Sequence, residues 1–227
     1  FLFSSLESCA TGMCFILFYL SLLRSYQDKR APGIAFYSFA CLGIASLFFV
    51  QILYFVPFLW ILMASNMMAL THRMFWATVL GLVMPYWFAV GYYVVTNQFD
   101  AFIDHFAELA QFEPLLQYEA LDIHRIATFG LVVLLAVIGI IHYMRNSYLD
   151  KIRTRMIFEM FITVDILSFV FIILQPQHFD NLLPIIIVNT SCLFAHYVAL
   201  TRTWLTNVTF IVMCLATLGL TIFNLMP

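Results

Sequence analysis

The chain has 227 residues, of which 64% are hydrophobic and 10% charged, with a mean hydropathy of +0.98 and a formal net charge of −2. Soluble domains carry roughly 25% charged residues, so this composition excludes a water-soluble fold and makes the lipid bilayer the first partner. Ten Lys and Arg residues form no clustered basic face able to displace counterions from phosphates, which argues against nucleic acid.

A helix needs about 20 apolar residues to cross a hydrocarbon core of about 30 Å, and eight runs approach that length. The first is read from Leu6 to Leu23 and stops at RSYQDKRAPG, where Arg24, Lys29 and Arg30 precede Pro32-Gly33. The second covers Gly33 to Gln51. The third starts near Pro57, a residue suited to a first helical turn, and ends at Thr71-His72-Arg73. The fourth runs from Met74 to Val95 with Pro85 inside it as an expected kink.

Residues 96–124 form the one sizeable polar segment. Within it Phe99, Phe102, Ile103, Phe106 and Leu109 recur at helical spacing, with Asp100, Asp104, Glu108 and Gln111 on the other face. This predicts an external amphipathic helix lying flat on the membrane. Its lack of basic residues favours a cap on the bundle, or a lid over a substrate built from Asp100, Asp104, His105 and Glu108, over an anionic-lipid anchor. The fifth run is Ile126 to Tyr143, the sixth Met156 to Leu174, the seventh Leu183 to Thr201 and the eighth Trp204 to Asn224. The expected fold is therefore all-α: a single polytopic transmembrane bundle over residues 1–227, with about eight transmembrane helices and the external helix within 96–124.

Charge orients this bundle. Arg24, Lys29, Arg30, Arg73, Arg145, Lys151, Arg153, Arg155 and Arg202 fall on one side, predicted cytoplasmic, and Arg125 alone on the other. The opposite side receives Glu7, Asp100, Asp104, Glu108, Glu113, Glu119, Asp122 and Asp180, so both ends of the chain are predicted external. Trp60 and Trp87 are expected at outer rims, Trp76 and Trp204 at inner ones. No two glycines are spaced GxxxG, so no close-approach motif of that kind is read. The chain opens at Phe1 without the basic and cleavable features of a signal peptide, and is expected to be a piece of a longer protein.

Asp165 is the most costly residue. Ten residues beyond Arg155, at 1.5 Å each, place it about 15 Å deep. A charge there costs roughly 2.5 to 3.5 kcal/mol, so the residue must face the bundle interior and be protonated or have donors nearby. Asn189, Cys192 and His196, at i, i+3 and i+7 of the seventh helix, are the expected partner stripe. Two roles stay open for this group: a hydrogen-bonded helix clamp, or a site for a proton, ion or substrate. Glu159 lies one turn inside Arg155 and is read as an i,i+4 pair; His72 and His142 are read as cations at helix ends. Cys9, Cys14, Cys41, Cys192 and Cys214 are odd in number and lack CxxC spacing, which predicts neither a disulfide framework nor a thiolate metal site. Asp104, His105, Glu108, Asp122 and His124 have the chemistry for a divalent cation but no HExxH-like spacing, so no metal and no cofactor is expected.

The runs RSYQDKRAPGIAFYSFACLGIASLFFVQILYFVPFLW, GLVMPYWFAVGYYV, SYLDKIRTRMIFEMFI and LQPQHFDNLLPIII resemble polytopic inner-membrane proteins of Bacteroidota. That resemblance implies a bacterial inner membrane and further upstream helices, and it brings no established activity or site residues. A looser resemblance, in the tight helical pair ending in Arg73 followed by a helix with Pro85, is to the membrane helices of GT-C glycosyltransferases. It implies a polyprenyl-phosphate sugar as substrate and a catalytic acid in an external loop upstream of this sequence; Asp165 matches no motif of that superfamily. The expected functions are thus an envelope assembly or scaffold subunit in contact with other envelope proteins, a GT-C-like enzyme using a lipid-linked sugar, or a proton- or ion-coupled transporter.

Overall fold

The computed structural model describes residues 6–110, 122–200 and 204–225. Glu113, Glu119 and Arg202 lie outside them. The described residues are helical, with nine α-helices and no strand among them, and the chain divides into two compact units: residues 5–115, and residues 116–227 with 1–4.

The first unit is built on an antiparallel pair, α1 (Leu6–Leu22) and α2 (Pro32–Phe48). Pro32 stands in the first turn of α2, where its missing N–H loses nothing. Beyond Phe48 the helix does not continue to Gln51. Residues Val50–Phe55 wind as a 3-10 segment and lead into α3 (Val56–Ser65), only ten residues long. Thr71 caps α4 (His72–Val95), its hydroxyl accepting from the Met74 N–H at 3.3 Å. His72 therefore opens a helix rather than closing one, and its Nε2 accepts from the Trp76 indole at 3.1 Å.

The core of this unit is the contact between α2 and α4. On α2, Gly43 and Ser46 lie on this contact, Ser46 accepting from the Tyr86 hydroxyl of α4 at 2.6 Å. Glycine is required at two points of closest approach. A Cβ at Gly43 would lie 2.6 Å from the Leu82 carbonyl oxygen, and one at Gly81 would collide with the Phe36 carbonyl. Close packing is thus achieved with one glycine on each helix and no GxxxG. Pro85 sits inside α4 against Gly43.

At one end of the unit the Gln27 N–H donates to the Met67 carbonyl at 3.0 Å, joining the α1–α2 turn to the α3–α4 connection. Arg24, Lys29, Arg30 and Arg73 flank that junction. Trp60, expected at the end remote from Arg73, instead lies near the start of α4: it packs against Phe75, with ring centres 4.8 Å apart, and donates to the Thr78 hydroxyl, both in the first two turns of that helix. At the other end α5 (Phe99–Ala110) folds back along α4, packing Phe102 and Phe106 on Tyr86 and Phe102 on Tyr93.

The second unit contains α6 (Ile123–Asn146), α7 (Ile152–Leu174), α8 (Phe179–Leu200) and α9 (Trp204–Leu225). Of the most apolar stretch of α8, 61% is buried, against 6% for α9, so α8 is the centre of this unit and α9 its periphery. Gly139 lets α6 approach α8: a Cβ there would meet the Leu193 side chain at 3.0 Å. Arg125 and Asp180 form an ion pair at 2.8 Å that fastens the start of α6 to the start of α8. The opposite end carries Arg145, Lys151, Arg153 and Arg155 and is fastened by Asp150 and His196.

Six of the described helical segments are long and apolar enough to cross a membrane: Leu6–Ser25, His72–Val95, Ile123–Leu149, Ile152–Leu174, Pro176–Leu200 and Thr206–Asn224. Two more, Pro32–Phe48 and Val50–Ser65, are apolar but shorter. This is a set of helices compatible with a multi-pass membrane protein, with six rather than eight meeting the length of a span.

Candidate functional site

The α7–α8 contact places the chemistry. Phe161, Val164, Asp165 and Ser168 form the buried face of α7, and Leu182, Ile186, Asn189, Thr190 and Leu193 are buried along α8. Asp165 is wholly buried. Its carboxyl group meets the hydroxyl of Thr190, which lies 3.4 Å from one oxygen and 3.2 Å from the other. A threonine hydroxyl has one proton to give, whereas an ionised carboxylate offers about four acceptor sites. The pair is therefore a sparse arrangement for a buried acid, with no basic side chain among the described residues in salt-bridge contact with it.

The expected partner stripe is placed as follows along α8. The Asn189 amide donates to the Ile185 carbonyl of its own helix at 3.0 Å. Cys192 is a half-buried free thiol. His196 stands six residues beyond Thr190, about 9 Å further along the helix, and pairs elsewhere. Thr190 belongs to the run NTSC, in which three adjacent polar residues point in three directions. The rotation of α8 that selects Thr190 is set by packing at Gly139 and Leu193.

Thr190 has a second neighbour. It lines a cavity of about 370 Å³ between α6, α8 and α9, together with Ser191 and the side chains of Val132, Leu135, Phe194, Phe210 and Met213. The cavity is mostly apolar; of its two polar lining residues, Thr190 and Ser191, the first reaches back to Asp165.

Closer to the basic end lies a second group of polar side chains. His196 Nε2 is 3.0 Å from Asp150 Oδ2, with 5% and 11% of the respective side chains exposed. The imidazole is packed against Phe158, His142 and Tyr143, with ring centres 4.5, 5.8 and 5.9 Å away. Tyr143 donates its hydroxyl proton to the Arg155 carbonyl at 3.0 Å. The Nδ1 atoms of His142 and His196 are buried without a hydrogen-bond partner among the described residues. Nothing in sequence spacing points from Asp150 to His196. The usable signal was the sign of Asp150, an acid set among Arg145, Lys151, Arg153 and Arg155.

On α5, Asp100, Asp104 and Glu108 are exposed, while His105 turns inward and donates to the Ser46 carbonyl at 3.0 Å. Tyr54 donates to the Leu109 carbonyl nearby. His105 and Leu109 are thus anchors of the helix. Further along, His124 stacks on Phe223 at 4.5 Å. Among the described residues no three His, Cys, Asp or Glu side chains converge with the geometry of a metal site. No protein-family model, no curated protein and no solved structure matches this chain.

Proposed function

We propose that the chain is a multi-pass protein of a bacterial inner membrane whose α6–α9 unit exchanges a proton on Asp165 and couples that exchange to transport through the adjoining cavity. In this reading α2 and the Val50–Ser65 segment are two shorter crossings beside the six longer ones, the Lys- and Arg-rich connections face the cytoplasm, and both ends of the chain are periplasmic. The observation that carries the reading is the linkage Asp165–Thr190–cavity. A clamp between helices needs only a neutral hydrogen bond, contributing about 0.6 kcal/mol on average in membrane proteins. An ionisable acid at mid-span is a costly substitute for an Asn or Ser, and it is spent where proton binding is useful.

The test is hydrogen–deuterium exchange of the Asp165 carboxyl group, read by infrared difference spectroscopy on the full-length protein in lipid nanodiscs. The expected result is a carboxylic C=O band that shifts in D2O, responds to bulk pH and is missing in Asp165→Asn. A band that ignores both D2O and pH would make Asp165 a clamp and end this reading.

The cavity itself favours a second reading, in which it holds the hydrocarbon chain of a lipid-linked substrate for a GT-C-like enzyme. Native mass spectrometry from native lipid, with a polyprenyl phosphate retained by the wild type and lost on Phe194→Trp, would support it. The scaffold reading draws on no particular contact within the chain; its mark would be an envelope protein copurifying at fixed stoichiometry.

A further inference from the structure

We propose that the Asp150–His196 pair is the port through which a proton enters from the basic end and reaches Asp165. This inference rests on the proton-exchange reading above and adds its route and direction. Three observations carry it.

The pair spans the boundary between surface and interior. Asp150, in the connection before α7, keeps 11% of its side chain exposed, and His196, near the end of α8, keeps 5%. The carboxylate accepts the Nε2–H of His196, and that fixes the tautomer, leaving Nδ1 as the proton acceptor. That Nδ1 is buried and has no hydrogen-bond partner among the described residues.

The groups facing the imidazole suit a transient cation. From α6 come His142 and Tyr143, from the connection Asp150, and from α7 the aromatic Phe158. On its own helix Tyr197 faces His142. Arg155 and Glu159 of α7 lie near Tyr143, whose hydroxyl donates to the Arg155 carbonyl. Among the described residues, the anion in hydrogen-bond contact with His196 is Asp150, whose charge balances an imidazolium.

The port and the buried acid occupy successive layers of the same helix pair. On α7 the order is Phe158, Phe161, Asp165; on α8, read from the same end, it is His196, Leu193, Thr190. Phe158 touches His196, Asp165 touches Thr190, and the buried Phe161 and Leu193 lie between them in sequence. The step balances simply. An O–H bond of a hydronium ion at the basic end breaks, leaving water, as an N–H bond forms at Nδ1. That bond breaks when the intervening apolar layer opens, and an O–H bond forms on the Asp165 carboxylate. His196 returns to its neutral tautomer, still held by Asp150.

The experiment measures the rate of Asp165 carboxyl exchange in D2O for the full-length wild type, His196→Gln, Asp150→Asn and Asp150→Glu, with thermal melting of each in the same nanodiscs. Slowing of at least tenfold in His196→Gln and Asp150→Asn, with recovery in Asp150→Glu and melting within a few degrees of the wild type, supports the port. A purely structural pair would lower the melting temperature and leave the exchange rate of the folded fraction unchanged, which overturns it. Should His196→Gln fail to fold, Asp150→Asn against Asp150→Glu decides alone, by the same tenfold difference. If the wild type shows no exchanging Asp165 band, the proton-exchange reading falls and the port with it; unchanged exchange in the port variants defeats the port alone.

Discussion

The α2–α4 contact and the α7–α8 contact solve the same problem in opposite ways. Both join apolar helices where a surrounding lipid would offer no hydrophobic gain for their association. In the first, glycine removes the side chain, and backbone carbonyls of Phe36 and Leu82 come within reach of Gly81 and Gly43. Its polar atoms satisfy each other locally: Ser46 donates to the Gly43 carbonyl at 2.8 Å and accepts from the Tyr86 hydroxyl at 2.6 Å. In the second, an acid is enclosed against the Thr190 hydroxyl, and that same threonine lines a cavity between α6, α8 and α9. Dense packing with small residues yields rigidity. The second contact encloses an ionisable group instead.

The comparison breaks most visibly at the glycines. Gly81→Ala should lower stability by about 2 to 3 kcal/mol, since the added carbon meets backbone that cannot rotate away. Gly91→Ala, with open space at its Cβ, should be neutral or stabilising by up to about 1 kcal/mol. Detergent-resistant thermal melting of the two variants checks both; equal effects would show that the α2–α4 approach is not tight.

Next in size is the polar layer. Asp165→Asn keeps shape and hydrogen bonding and should change stability by less than about 1 kcal/mol while abolishing proton exchange. A loss of several kcal/mol would place Asp165 among the structural residues, like those of α2. Loosening the cap should cost about 1 kcal/mol: Tyr54→Phe removes the hydrogen bond to Leu109, and amide exchange in α5 should quicken while α2 and α4 stay protected. Arg125→Ala should have the smallest effect, between zero and about 1 kcal/mol and weaker still in high salt, because the pair with Asp180 is about one-third exposed. Urea or melting curves at low and high salt would read it.

Much of the helical outline was legible because hydropathy and charge act over whole segments. The expected runs Met74–Val95, Met156–Leu174 and Trp204–Asn224 lie within a few residues of α4, α7 and α9. The periodicity of Phe102 and Phe106 agrees with the face that packs on α4. Illegible was whatever depends on winding or rotation. VQILYF is equally apolar as α-helix or 3-10 segment, so hydropathy gives no warning that α3 is ten residues long and that Trp60 stops beside Phe75. One residue along a helix turns the side chain by about 100°, and that alone separates Asn189, bonded to its own helix, from Thr190, bonded to Asp165. Hydropathy also could not see that α2, at 17 residues, falls just short of a full span.

The bond from Gln27 to Met67 bears on the order of assembly. A chain emerging from its amino-terminal side completes α1 and α2 some twenty residues before Met67 exists. Until then the turn at Gln27 must hold its left-handed backbone, φ 58°, without that hydrogen bond. The first hairpin thus enters its surroundings unlatched. It is closed twice by later sequence: at the turn by the residue that follows α3, and along its length when Gly81 of α4 settles against Phe36.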